Sequence, residues 1–168
     1  MKPQHLSHSK IFKLPDLLIQ IKKWKQQNKK IVFTNGVFDI LHQGHIASLC
    51  EAASYGDVLI VGLNADSSVK KLKGPTRPVN NEDARALLIA SLIMTDAVIL
   101  FDTDTPRGLI IEIMPDVLVK GGDYTIEQIA GAKEVIANGG EIKIAKMVEG
   151  ISTTAIIEKM KEGVISKY

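Results

Sequence analysis

"KIVFTNGVFDILHQGH", Lys30 to His45, runs from a continuous apolar segment into a glycine-bounded loop and then into a helical pattern. Ile31, Val32 and Phe33 are consecutive and β-branched or aromatic, which is how a strand buried on both faces reads. Gly36 lets the chain turn at the strand's end and lets a ligand approach the backbone. "HIASLCEAASYG", His45 to Gly56, then reads as a helix closed by Gly56.

The rest of the chain repeats this unit. "DVLIVGLN" (57–64), "DAVILF" (96–101), "DVLVKGG" (116–122) and "EIKIAKM" (141–147) read as four more strands. Between them lie helical patterns in "DARALLIASLIM" (83–94), "TPRGLIIEIM" (105–114) and "TIEQIAGAKEVIANGG" (125–140). "NNED" (80–83) is a start signal for the first of these, and Pro106 suits the first turn of the second. "STTAIIEKMKE" (152–162) is a final helix, capped by Ser152 or Thr153. Ahead of them all, apolar residues at 14, 17, 18, 21 and 24 predict an N-terminal helix over about 14–27. This alternation predicts an α/β fold: a Rossmann-like, doubly wound, parallel five-stranded sheet with helices on both faces. Residues 1–10 read as a flexible tail and 11–168 as a single domain. The one long irregular stretch is "ADSSVKKLKGPTRPVNNED" (65–83).

The 168 residues are 45% hydrophobic and 24% charged, an ordinary globular composition. No apolar run approaches the roughly 18 residues of a membrane span. "MKPQHLSHSK" has no signal-peptide core, and the single cysteine, Cys50, excludes an internal disulfide. A cytoplasmic protein is expected, with Cys50 packed in the core. Net charge is +2, but residues 1–30 hold eight lysines against one acid, Asp16. The remainder is acidic, so the basic segment reads as a solvated helix end, and no nucleic-acid partner is expected.

Open parallel sheets bind ligands beyond the carboxyl ends of their strands. In the first such loop, His42 and His45 lie three residues apart with Gly44 between them. At a helix N-terminus both imidazoles can donate to phosphate oxygens. They can also be loop histidines capping carbonyls, or two ligands of a metal. Zinc would need more ligands, and only Asp39, Cys50 and the tail histidines His5 and His8 are on offer. The second loop holds Lys70, Lys71, Lys73 and Arg77, with Arg85 further on. The third has Asp102 and Asp104, suited to a turn or a cap. The fourth places Lys120 at a strand end beside two glycines, followed by Asp123. The fifth, "EGISTT" (149–154), sets three hydroxyls at a helix start, a second anion site.

"GVFDILHQGH" and "EGISTT", about a hundred residues apart on such a chain, together resemble the HxGH and ISTT elements of the nucleotidyltransferase superfamily. Within it, "GDVLIVGLNADSSVKKLKGPTRPVN", "DTPRGLI", "PDVLVKGGDY" and "VEGISTTAIIEKM" resemble the adenylyltransferase domain of ADP-heptose synthases, over about Ser9 to Met160. The resemblance implies a stand-alone heptose 1-phosphate adenylyltransferase. Such an enzyme moves AMP from ATP to D-glycero-D-manno-heptose 1-phosphate, for lipopolysaccharide core or related heptose glycans. Carried over by position, it makes His42, His45 and Lys73 catalytic. Thr34, Asn35, Gly36, Phe38, Asp39, Gly44, Lys120, Asp123, Gly150, Ser152 and Thr153 would bind nucleotide, with Asp39 orienting the loop or its histidines. Asn64, Asp66 and Arg85 would serve the sugar phosphate or make structural bonds. Mg²⁺ would arrive on the ATP phosphates rather than on protein ligands, and the assembly would be a homodimer or larger. Cytidylyltransferases of the superfamily carry an arginine-threonine pair where this chain has Met147-Val148. That separates it from the alternative, a cytidylyltransferase for a polyol or sugar phosphate. A non-catalytic nucleotide-binding protein is the alternative of another class, and it predicts damage at the reactive positions, which are intact.

Overall fold

Ile31 and Phe33 are buried under one layer of helices and Val32 under another, so alternate residues of one strand serve two cores. The protein is described by a computed structural model covering residues 7–122, 124–146 and 150–161. The strands are β1 (Ile11–Phe12), β2 (Ile31–Gly36), β3 (Val58–Asn64), β4 (Ala97–Phe101), β5 (Val117–Gly121) and β6 (Glu141–Ala145). All pairings are parallel, in the order β1-β4-β3-β2-β5-β6. The sheet therefore has six strands, not the expected five. The extra one is a two-residue edge strand on β4, too short to show a pattern of its own.

The helices are α1 (Leu14–Gln26), α2 (Gln43–Ala53), α3 (Asp66–Lys73), α4 (Glu82–Ala90), α5 (Arg107–Ile113), α6 (Ala132–Ala137) and α7 (Thr153–Lys161). Leu17 and Ile21 of α1, Ile110 and Ile113 of α5, and Ala132 and Val135 of α6 pack on one face of the sheet. Leu49 and Ala52 of α2 and Ala86, Ile89 and Ala90 of α4 cover the other. None of the described helices is long and apolar enough to cross a membrane.

Three expectations need correction. The irregular stretch 65–83 contains α3, and Asn81 then caps α4 by accepting the Ala84 N–H at 2.9 Å. The helix expected over 125–140 is a single 3-10 turn, Ile126–Gln128, followed by α6, with Gly131 at φ +82° between them. Cys50 is exposed, because α2 turns Leu49 and Ala52 inward instead. At the N-terminus, His8–Lys10 form a 3-10 turn, and Lys10 Nζ donates to the Thr95 carbonyl at 2.6 Å. The segment expected as a tail is thus pinned at its end.

The amino ends of the central strands share one device. Asp116 accepts the Ile31 N–H at 2.7 Å, Asp57 accepts that of Lys30 at 2.8 Å, and Asp96 accepts that of Leu59 at 2.8 Å. Each aspartate precedes its own strand and satisfies an amide at or beside the neighbouring one. At the other end, the chain leaves β2 toward β3 on one side while β5 lies on the other. That reversal opens a crevice between the loops after β2 and β5.

Candidate active site

The loop after β2 enters α2 through His42, whose extended backbone (φ −143°, ψ 169°) places it at the helix cap. Its Nδ1 accepts the His45 N–H at 3.4 Å. With Nδ1 accepting, the ring proton sits on Nε2, and that donor is free for a ligand. This capping of a helix amide is the opposite of the carbonyl-capping alternative. His45 stands one turn into the helix. Its ring stacks on His42, centroids 3.7 Å apart and planes 20° apart, and meets the edge of Phe38 at 5.1 Å. Phe38 holds φ +46°, a backbone conformation that side chains other than glycine adopt at a cost of roughly 1–3 kcal/mol. Gly36 leaves room for it, since a Cβ there would lie 2.9 Å from the Phe38 ring.

Burial lowers the pKa of both rings. His45 falls to about 4, through its own desolvation first and the neighbouring His42 second, with the Ile40 carbonyl in weak opposition. His42 is lowered by desolvation. At neutral pH two neutral imidazoles therefore face the crevice, beside the first amides of α2.

The same crevice collects most of the sequence-predicted residues. A cavity of about 350 Å³ is lined by Thr34, Asn35, Gly36, Phe38, Asp39, His42, Gly44, His45, Lys73, Lys120, Ser152 and Thr153. Ser152 caps α7, its Oγ accepting the Ala155 N–H at 3.1 Å, while the Thr153 hydroxyl donates to the Ile40 carbonyl at 3.5 Å. The last helix is thereby tied to the histidine loop. Lys73 reaches the cavity from the last residue of α3, before Gly74 (φ +94°) turns the chain. Lys120, at the end of β5, lies 3.5 Å from Asn35 Oδ1 and 5.5 Å above the Tyr124 ring. Burial lowers its pKa. Gly150 is not among the lining residues, and Asp123, Met147, Val148 and Glu149 lie outside the described residues.

Asp39 has a different place from a partner of the histidines. It is only 1% exposed, and its carboxylate accepts from Arg77 Nε at 2.7 Å, Val79 N at 2.8 Å and Asn80 N at 2.9 Å. Burial opposes its ionisation, but the Asn80 and Val79 amides and Arg77 outweigh it and hold the pKa below the ordinary value. Asp39 thus fastens the histidine loop to residues 77–80. Arg85 is fully buried; it donates to the carbonyls of Asn80, Val37 and Asn64 and pairs with Asp66 at 2.6 Å. Neither Arg85 nor Asp66 lines this cavity, and these bonds are structural.

Ser48, Arg77, Gly121 and Lys146 also line the cavity without having been singled out as site residues. Ser48 carried a readable signal, lying three residues after His45 on the same helix face. So did Lys146, directly after the last strand. Its backbone N–H donates to Glu51 Oε2 at 3.1 Å, which fixes where the side chain departs. Among the described residues no three His, Cys, Asp or Glu side chains converge. The donors on hand are imidazoles, ammonium groups and hydroxyls, which suit phosphate oxygens.

A family model for cytidylyltransferase-like proteins matches residues 33–159. The bifunctional protein HldE of Hyphomonas neptunium is 56% identical over 144 residues, 86% of this chain. The chain spans about 30% of the length of that relative. A crystal structure described as the lipopolysaccharide core biosynthesis protein from Thermoplasma volcanium shares 32% identity at TM-score 0.57, covering 71% of this chain and 97% of that one. A pantoate-β-alanine ligase from Francisella tularensis, 15% identical at TM-score 0.57, covers 94% of this chain and 79% of its own, and shares the fold alone.

Proposed function

We propose, from the premise that this chain belongs to the cytidylyltransferase-like family of nucleotidyltransferases, that it transfers AMP from ATP to D-glycero-D-manno-heptose 1-phosphate. The products are ADP-heptose and pyrophosphate. The observation that carries the reading is the stacked His42–His45 pair at the head of α2, sharing one cavity with Lys73, Lys120 and the Ser152 cap. The choice of heptose is supported by the 56% identity to an HldE protein and by the stated role of the Thermoplasma relative.

A phosphate oxygen of the sugar attacks the α-phosphorus of ATP. The bond to the bridging oxygen of pyrophosphate breaks, and the electron pair leaves with pyrophosphate. Nothing in this displacement needs a covalent enzyme intermediate, so the protein's part is positioning and charge stabilisation. His42 donates through Nε2 to the phosphate chain, His45 supports it by stacking, and Lys73 and Lys120, both lining the cavity, supply positive charge. Mg²⁺ would arrive with the triphosphate and offset part of its charge. Asp39, the carboxylate lining the cavity, already spends both oxygens on Arg77, Val79 and Asn80.

Incubation with ATP, Mg²⁺ and the heptose phosphate should release pyrophosphate and ADP-heptose in equal amounts, and EDTA should stop it. Absence of both products sinks the proposal. The family's name makes CTP the competing donor. A larger thermal shift with CTP than with ATP would favour that second reading. A homodimer belongs to the same proposal, and light scattering should give twice the mass of one chain.

A further inference from the structure

Lys146 follows β6 directly and lines the cavity of the stacked histidines. Its backbone is held from α2. Glu51 Oε2 accepts the Lys146 N–H at 3.1 Å, and Glu51 Oε1 accepts the Tyr55 hydroxyl at 2.9 Å. His45, Ser48 and Glu51 recur every three residues along α2, so they share one face of that helix. The first two line the cavity and the third does not. We propose that Lys146 binds the phosphate chain of the nucleotide and that Glu51, outside the cavity, is its positioning residue. The inference rests on the adenylyl-transfer reading and adds to it a cation and the group that holds that cation's backbone.

Three observations carry it. The cavity is lined by the cations Lys73, Arg77, Lys120 and Lys146. Arg77 is paired with Asp39, and Lys120 reaches Asn35 Oδ1. Lys73 and Lys146 have no carboxylate partner among the described residues, so their charge is left to an anion that enters the cavity. Next, Glu51 takes the amide of Lys146 and not its ammonium. Both carboxylate oxygens are engaged, one on that amide and one on Tyr55, so the acid fixes the backbone and leaves the cation unpaired. Last, a lysine on a free loop must give up backbone as well as side-chain freedom when it closes on a ligand. The Glu51 bond fixes the backbone part beforehand, on the same helix that carries the histidines. A lysine that only faced solvent would gain nothing from that arrangement.

A double-mutant cycle on Glu51 and Lys146, read by calorimetric titration with α,β-methylene-ATP and Mg²⁺, tests both parts. Lys146→Ala should weaken binding about tenfold, the scale of one charge-assisted hydrogen bond. Because salt screens an exposed cation, that loss should shrink as KCl is raised. Glu51→Ala should weaken binding about threefold in the wild-type background and leave it unchanged beside Lys146→Ala, as coupled residues do. Glu51→Gln should restore it, since its carbonyl oxygen still accepts the Lys146 N–H and the Tyr55 hydroxyl can accept from its amide. Equal losses from Glu51→Ala in both backgrounds mark a merely structural carboxylate and overturn the positioning role. Wild-type affinity in Lys146→Ala, or a loss that ignores salt, overturns the phosphate contact. If the wild type turns over no heptose phosphate, the transfer reading fails separately, and the cycle still decides Lys146. Should CTP be the donor, α,β-methylene-CTP replaces the ATP analogue. A wild type that binds neither analogue overturns the inference.

Discussion

His45 is enclosed enough that its Nδ1 makes no hydrogen bond of normal geometry. A buried neutral imidazole has a consequence for stability. Its folded pKa, about 4, lies below the roughly 6.5 of an unfolded histidine, so the unfolded chain binds the proton more readily. Above pH 6.5 this group leaves stability untouched. Between pH 6.5 and 4 it makes the fold progressively less stable, and below 4 the loss is complete. The melting temperature of the wild type should therefore drop relative to His45→Gln over that window, and a constant difference from pH 7 to 4 would refute the buried neutral state. In turnover, His42→Ala should lower kcat about a hundredfold, the usual effect of losing one charge-stabilising donor, and His45→Ala should lower it by removing the ring on which His42 stacks. The KM for ATP should move much less, and near-normal kcat in both would remove the phosphate role. Asp39→Ala removes the acceptor shared by the partly buried Arg77 and the Val79 and Asn80 amides, a loss of about 1–3 kcal/mol measurable by urea unfolding. The histidines were readable because residue type, spacing and position after a strand agreed. Arg77 was not, since an arginine in a loop looks the same whether it faces solvent or a cavity.

At the level of elements, β2, β3 and β4 showed themselves as continuous apolar runs, because both faces of the inner sheet are covered. Helix α3 did not. Of its residues Val69 is the one buried apolar side chain, while Leu72 is exposed, so "DSSVKKLK" has no stripe to read. It is a helix because Ser68 and Val69 pack inward, and its last residue, Lys73, lines the cavity. The 125–140 segment misled for another reason. Gly131 needs positive φ, and a Cβ there would lie 2.7 Å from Ile110 Cγ2, so the chain breaks where its periodicity continues. The last helix depends visibly on its cap. Ser152→Ala should cost about 1 kcal/mol of stability. Ser152→Asp keeps the cap but brings a negative charge to the cavity, so it should preserve stability while lowering turnover. Equal turnover in both variants would leave Ser152 a cap and nothing more.

For the molecule as a whole, the two cores are laid on one sheet whose strand order reverses beside β2, and that reversal puts the crevice where it is. Leu17→Ala, at the bottom of the core under α1, should cost about 2–5 kcal/mol without altering KM for either substrate. A changed KM would mean that α1 reaches the site. The aspartates at the amino ends of β3, β4 and β5 act on this same scale. The lining of the cavity is a matter of alignment between strands: Asn35 near the end of β2 must stand level with Lys120 near the end of β5. A parallel sheet fixes only that neighbouring strands bond, and a slip of one residue moves a strand by about 3.3 Å and turns its side chains over. Asp116 grips the first amide of β2 from the base of β5 and so sets the zero of that scale. The distance between two side chains of the cavity wall is thus gauged from the opposite end of the sheet, by a carboxylate that does not line the cavity.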